Sequence, residues 1–326
     1  MKTPLYREAI THSWQLVWKH KMLWLFGLFA AFLGQMGLMD LLSNVGFASS
    51  DYALYPSWLA WPQLLKSLYG NSGLSLPFEG WIWLIWLVVI LLGLFIFFLF
   101  TAVVSQGALV YSSDKFFKSK KLPSTSTAWH VGVKHFWRIF FLNLFKKVVM
   151  VLLAVVVGYG TWNFVVGASG WSVVLFLLIF LLAVLVGLVL SFLVIYAIGY
   201  IVIEEYSLRE SLEAAWMLFV DHWLVSIEVG LLVLFLNIIL GAVVFLGFWV
   251  LFLPVLAIWF FGVVSGSAFL GVAGFFVGLS LFVLFIVWVG SIFSAFTTSI
   301  WTYLFVKMHR EGLTSRILHW GGFHRK

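Results

Sequence analysis

Amphipathic stretches alternate with long apolar runs along the chain, and this alternation occurs three times. Each amphipathic stretch places hydrophobic residues at helical spacing and carries a tryptophan at an equivalent position, namely Trp14, Trp129 and Trp216. Apolar runs of about 18 residues or more are typical of membrane-spanning helices. The pattern therefore predicts three repeats of one unit, a helix on the membrane surface followed by a helical hairpin.

A histidine lies six residues after each of these tryptophans, at His20, His135 and His222. We interpret the three Trp–His pairs as a repeat signature that marks the passage from surface helix to span. The surface helices are predicted over 4–20, 126–138 and 207–222. Ser207 and Glu210 have the spacing of a capping box at the start of the third helix.

The apolar runs predict an all-α integral membrane protein with six transmembrane helices, at about 22–39, 81–112, 139–166, 171–203, 223–247 and 269–306. A single membrane domain covers 1–326, with repeat units at about 1–112, 113–203 and 204–306 and a basic tail over 307–326. Residues 248–266 are apolar but interrupted by Pro254. A re-entrant piece, an interfacial piece and an extra crossing all remain open for this segment.

Charge placement predicts the orientation. The chain is 63% hydrophobic and 10% charged, whereas soluble domains carry about 25% charged residues. Of its 19 Lys and Arg residues, only Lys66 falls on the outer side of the six-span arrangement. The positive-inside rule therefore places both termini in the cytoplasm. We assign the chain to a bacterial inner membrane. An extra crossing would move the basic tail outside, so six spans are favoured.

The second span of each unit is longer than the bilayer is thick. A helix of about 33 residues measures about 50 Å, against a hydrocarbon core of about 30 Å. We expect the excess to project into the cytoplasm, where the surface helices would surround it as a collar. Small residues at four-residue spacing, such as Ser291, Ala295 and Ser299, predict close helix packing within the chain or in a homo-oligomer.

Four polar residues at membrane level are candidate functional residues: Glu228, Asn237, Asn143 and Gln106. A charged group at the centre of a span costs about 2.5–3.5 kcal/mol on insertion scales, so such residues are often functional. The alternative is structural, with Glu228 paired inside the bundle and the amides bonded between helices.

A basic cluster follows the second span, with Lys115, Lys118, Lys120 and Lys121. A base near an anionic membrane surface contributes about 1 kcal/mol, so these lysines are candidate contacts for anionic lipid headgroups. The alternative is that they only set the topology. The net charge of +7 is accordingly interpreted as contact with lipid and not with nucleic acid.

The sequence carries no pattern that indicates an enzyme. It has no cysteine and no paired catalytic carboxylates, and its glycines match no phosphate-binding loop. The eight histidines lack the spacing of a zinc-binding helix, so we predict no metal and no other cofactor. His20, His135 and His222 would meet under the bundle if the repeats were symmetric, although repetition alone explains their recurrence.

Over most of its length the chain resembles a loose group of bacterial polytopic proteins, similar to the membrane domain of glycerophosphoryl diester phosphodiesterases. The likeness rests on Gly107-Ala108-Leu109, a polar linker, Ala128-Trp129 and Phe136-Trp137-Arg138, repeated more loosely at Ser211, Ala215-Trp216 and Trp223. The catalytic domain of those enzymes has no counterpart here. The resemblance therefore implies a membrane domain without phosphodiesterase activity.

Together these features predict a non-enzymatic membrane scaffold or lipid-interacting protein. Its expected partners are membrane lipids, with a second copy or another membrane protein as a further possibility. The alternative is a permease for a small or apolar solute, with a path between the repeats at Glu228. A water-accessible cavity at mid-membrane would favour the permease, and a filled centre would favour the scaffold.

Overall fold

The computed structural model describes residues 5–31, 47–50, 53–56, 78–167 and 170–311. Within these ranges the chain forms nine helices and one short antiparallel hairpin. The described helices follow one order three times, a short helix and then two apolar helices.

The first unit contains α1 (Leu5–Lys19), α2 (Met22–Ala31) and α3 (Phe78–Ser119). Between α2 and α3, strand β1 (Phe47–Ser50) pairs with β2 (Ala53–Pro56). This hairpin is a small departure from the all-α prediction. The predicted first span beyond Ala31 lies outside the described residues.

The second unit contains α4 (Thr125–Lys134), α5 (Phe136–Gly167) and α6 (Gly170–Ile203). The third contains α7 (Leu208–Asp221), α8 (Trp223–Val264) and α9 (Ala268–Glu311). The basic tail beyond Glu311 lies outside the described residues.

Five helical segments are long and apolar enough to cross a membrane: Ile85–Ser119, Phe136–Trp162, Gly170–Ile203, Trp223–Val264 and Val272–Arg310. They lie in α3, α5, α6, α8 and α9. The first predicted span, at about 22–39, is described only as the shorter apolar helix Met22–Ala31. The chain thus has the build of an α-helical membrane protein.

Helix α8 corrects the predicted end of the fifth span. The span was expected to stop near residue 247, but the helix continues through Pro254 to Val264. Proline removes one backbone donor, and helices in membranes tolerate this loss when the local geometry adjusts. The helix ends where Gly266 adopts a φ of +68°, which suits glycine at a helix C-terminus. Residues 248–264 therefore continue the fifth predicted span as part of α8, and they are not a separate segment.

Each surface helix ends next to a signature histidine. The backbone N–H groups of His20, His135 and His222 donate to carbonyls four residues earlier, at 3.2, 3.2 and 3.0 Å. Their own carbonyls accept bonds from the helix that follows, at 3.0, 3.1 and 3.0 Å. The same break in the helical path thus occurs at all three positions that the signature marks.

The amphipathic helices pack against the long helices in a cyclic order. Helix α4 packs on α3, α7 packs on α6, and α1 packs on α9. Each surface helix thus lies on the last helix of the unit before it, and for α1 that unit is the third. The long helices α3, α6 and α9 also contact one another. The packing therefore closes on itself.

The core lies where α3, α6 and α9 meet. Its large fully buried side chains include Leu109, Tyr196, Ile201, Ile300, Leu304 and Phe305. In the other half of α3, Phe95 and Ile96 are 64% and 56% exposed, as expected for apolar side chains that face lipid. The buried half of α3 is thus the part that organises the bundle.

Two glycines allow backbones to approach closely. A Cβ atom at Gly132 of α4 would overlap the carbonyl oxygen of Val104 in α3. A Cβ atom at Gly27 of α2 would overlap the carbonyl of Ser291 in α9. Ser291 and Ala295, two of the small residues at four-residue spacing, therefore pack inside the chain.

Candidate functional site at the centre of the bundle

Side chains almost fill the centre of the bundle. The cavity left between α3, α6 and α9 measures about 30 Å³, and its lining includes Gln106, Ile198, Gly199, Thr298, Thr302 and Phe305. A cavity needs about 10–15 Å³ of such space to hold one water molecule, so this one has room for only a few. Glu228 lies on α8 and does not line this cavity. Within the described part of the chain, the central cavity therefore does not extend to Glu228.

Side-chain hydrogen bonds at corresponding places in the bundle join each unit to the next. Asn143 donates to Gln106 at 2.8 Å, Tyr196 and Ser226 share a bond of 2.7 Å, and Ser291 donates to the carbonyl of Trp24. One partner is always on a core helix (α3, α6 or α9), and the other is on the first long helix of the following unit. Such bonds contribute about 0.6 kcal/mol on average in membranes, so they fix helix register more than they add stability.

The four polar candidates divide into a pair and two separate residues. Gln106 and Asn143 bond to each other between α3 and α5. Asn237 instead donates to the Val233 carbonyl of its own helix at 2.7 Å. Glu228 is half-buried on α8, two residues after Ser226. The interhelical role expected of the amides thus holds for Gln106 and Asn143, and the hydrogen bond found for Asn237 lies within one helix.

The basic cluster also divides in two. Lys118 pairs with the buried Asp114 at 2.6 Å, and the Lys115 ammonium lies 5.6 Å from the centre of the Tyr111 ring. Lys120 and Lys121 are exposed, and within the described part of the chain neither makes an ion pair. These two lysines are the ones available to an external anion.

An acidic turn, residues 204–206 between α6 and α7, is held by side chains from three other helices. From α4, Lys134 pairs with the Glu205 carboxylate at 2.6 Å. From α5, Arg138 donates to the backbone carbonyls of Glu205 and Tyr206 at 3.2 and 3.1 Å. From α9, Arg310 and His309 approach Glu204 at 3.7 and 3.8 Å. The turn therefore connects α6 and α7 to the ends of α4, α5 and α9.

Electrostatics at this turn favour a charged carboxylate and a neutral histidine. The hydrogen bond and charge of Lys134 hold the pKa of Glu205 below its usual value. Burial lowers the pKa of His135, and the neighbouring charges of Lys134 and Arg138 lower it further. Partial burial and Lys19 likewise lower the pKa of His20.

The signature histidines are not brought together as a metal site. Among residues that the structure describes, no group of three or more His, Cys, Asp or Glu side chains has the arrangement to hold a metal ion. His20 lies edge-on to Phe116 at 5.8 Å, and His222 lies 3.3 Å from the Leu218 carbonyl. Their shared role is at the helix breaks.

The signature tryptophans lie beside a recurring phenylalanine of the core helices. Trp14 contacts Phe296 at 5.5 Å and Trp129 contacts Phe100 at 6.4 Å, measured between ring centres. In the third unit, Trp216 contacts Phe219, which stacks on Phe192 at 5.8 Å. Phe100, Phe192 and Phe296 lie on α3, α6 and α9.

Two features described here were not predicted from the sequence. One is the acidic turn, although an acidic pair among basic connections was a usable signal. The other is the bond between Tyr196 and Ser226, since hydroxyl groups inside apolar spans usually bond to their own backbone.

Comparison with known proteins finds no matching protein family, no matching curated protein and no matching solved structure. The classification therefore rests on the fold and on the five apolar helices, which indicate an α-helical membrane protein.

Proposed function

We propose that the chain is a non-enzymatic membrane scaffold that interacts with lipids. It consists of three repeats with six transmembrane helices, and both termini lie on the cytoplasmic side of a bacterial inner membrane. Helices α1, α4 and α7 form the collar around the ends of α3, α6 and α9. Anionic lipids are its partners at the basic surface, and the collar offers a surface to a second copy or another membrane protein.

The filled centre is the observation that carries this proposal. A solute pathway needs a cavity that can hold its solute. Sites for small molecules usually measure about 300–1,000 Å³. The central cavity of about 30 Å³ is far smaller. The hydrogen bonds between consecutive units further oppose separation of the helices around it.

The repeat and its orientation are supported by different observations. The break at each signature histidine and the cyclic packing of the surface helices favour three equivalent units. The distribution of Lys and Arg favours the cytoplasmic side for the collar.

The absence of cysteine allows a direct test. Single cysteines at Thr302, which lines the central cavity, and at Ser119, at the exposed end of α3, would be treated with a membrane-impermeant maleimide in proteoliposomes. We expect labelling of Ser119→Cys and none of Thr302→Cys, with no solute leak from the vesicles. Labelling of Thr302→Cys together with a leak that Glu228→Gln abolishes would support the permease instead.

A further inference from the structure

A groove lies between α2, α3 and the N-terminus of α4. It measures about 250 Å³, and its lining includes Leu25, Phe26, Phe29, Ser105, Ser126 and Trp129. An engineered apolar cavity of about 150 Å³ is large enough for benzene. The groove therefore has room for part of one acyl chain.

One polar atom in this groove has no partner among the described residues. The Ser105 side chain is fully buried, and its hydroxyl oxygen makes no hydrogen bond within that part of the chain. By contrast, Thr101 one turn earlier donates to its own helix at 2.8 Å. A buried hydroxyl without a partner costs free energy, so Ser105 is suited to donate to an acceptor on a molecule in the groove.

The N-terminus of α4 borders the same groove. Ser124 accepts a bond from the Thr127 amide at 3.2 Å, whereas the amides of Thr125 and Ser126 find no acceptor among the described residues. The first turn carries no acidic residue. The free amides and the helix dipole make this end favourable for an anion.

Positive charge lies close to this end of α4 along the chain. Lys120 and Lys121 are exposed and precede Thr125 by five and four residues. No acidic residue lines the groove. The groove therefore combines an apolar slot, one hydroxyl donor and an electropositive rim. A lipid with an anionic headgroup carries the matching groups in the same order, namely an acyl chain, an ester carbonyl and a phosphate.

We propose that this groove binds one anionic glycerophospholipid. The phosphate lies at the amides of Thr125 and Ser126, with Lys120 and Lys121 beside it. An ester carbonyl accepts the hydrogen bond of Ser105, and an acyl chain packs along Phe26 and Phe29. The site rests on the proposed lipid-interacting function and gives it a location.

Native mass spectrometry of the detergent-purified full chain tests the charged rim. The probes are phosphatidylglycerol and, for comparison, zwitterionic phosphatidylcholine. Lys120→Gln with Lys121→Gln should weaken phosphatidylglycerol binding by about tenfold or more, since each base contributes near an anionic headgroup. Arg7→Gln with Arg209→Gln removes the same charge from exposed positions outside the basic cluster and should leave binding within about twofold. Equal losses in both pairs would overturn the site.

Two substitutions test the groove itself. Leu25→Trp fills the slot from an exposed position on α2, and Leu231→Trp adds the same bulk at an exposed position of α8. The first should abolish the one-lipid complex and the second should preserve it. Ser105→Ala should weaken the complex by about fivefold, as for loss of one hydrogen bond. Gel filtration and thermal melting without added lipid show whether each variant is folded.

The outcomes separate the site from the function. If the chain binds phosphatidylglycerol and no groove or rim variant weakens that binding, the site is wrong. The proposal of a lipid-interacting scaffold would then still stand. No preference for phosphatidylglycerol over phosphatidylcholine in the wild type would overturn lipid recognition itself. Competition by soluble glycerol phosphate as strong as by the lipid would show an anion site without an acyl chain, and would also contradict the proposal.

Discussion

Asn143 on α5 donates its side-chain amide to the side-chain oxygen of Gln106 on α3 at 2.8 Å, across the boundary between the first two units. The same amide nitrogen also donates to the Ile139 carbonyl at 3.0 Å. Gln106 lines the central cavity. This pair therefore links the core of the bundle to the first span of the second unit.

The first prediction concerns the energy of this link. Asn143→Leu and Gln106→Leu should each lower stability, and a double-mutant cycle should return a coupling of about 0.6 kcal/mol and at most about 1.7 kcal/mol. Thermal or chemical unfolding in detergent measures it. Asn237→Leu is the control, because its amide bonds within α8. A coupling between Asn237 and Gln106 of the same size would contradict this assignment.

The second prediction uses the contact between α3 and α4. Gly132→Ala should lower stability by about 1–3 kcal/mol, because the added methyl group overlaps the Val104 carbonyl and forces the helices apart. Gly93→Ala has open space around its Cβ and should be neutral or stabilising, since alanine is the better helix former. Melting temperatures of both variants in detergent test the contrast. Equal melting temperatures would mean that the two helices do not approach closely at Gly132.

The hydrophobic pattern predicted the helices well because both requirements of a membrane helix are local. A span needs an uninterrupted apolar run, and a surface helix needs apolar residues on one face. The end of α8 could not be predicted in this way, because no charged residue lies within 248–266 and Pro254 alone does not stop a helix in a membrane. The sequence pattern therefore located the elements better than it located their ends.

The contacts between units depended on information that the pattern lacks. His12 on α1 stacks on Tyr303 of α9 at 5.9 Å between ring centres, although the two lie at opposite ends of the chain. Repetition in the sequence is compatible with a row of units as well as with a ring. The acidic turn was likewise unpredictable in its role, because its basic partners come from α4, α5 and α9.

The third prediction concerns pH. The folded state holds the pKa of His135 below the usual histidine value of about 6.5, so the unfolded chain takes up a proton at a higher pH than the folded chain does. Stability should therefore fall as the pH drops through about 6.5 and continue to fall until it reaches the lowered folded pKa. Melting temperatures between about pH 7.5 and 5.5 check this, in a window above the range in which carboxylates titrate.

Two variants isolate the residue responsible. His135→Gln cannot take up the proton and should reduce the loss of stability on acidification, with the remainder assigned to groups such as His20. His130→Gln is the matched control, since His130 is exposed on the same helix. If both variants respond to pH as the wild type does, burial of His135 does not control acid stability.

The fourth prediction concerns the orientation of the chain in the membrane. Ser119 ends α3 and Ser50 lies in β1, so the six-span arrangement places them on opposite sides of the bilayer. Single cysteines at these positions of the cysteine-free chain should react with an impermeant maleimide from opposite faces, Ser119→Cys from the cytoplasmic side and Ser50→Cys from the outside. Intact and lysed spheroplasts distinguish the two faces. Labelling of both from one face would mean that α3 does not cross between them, and the cytoplasmic placement of α1, α4 and α7 would lose its basis.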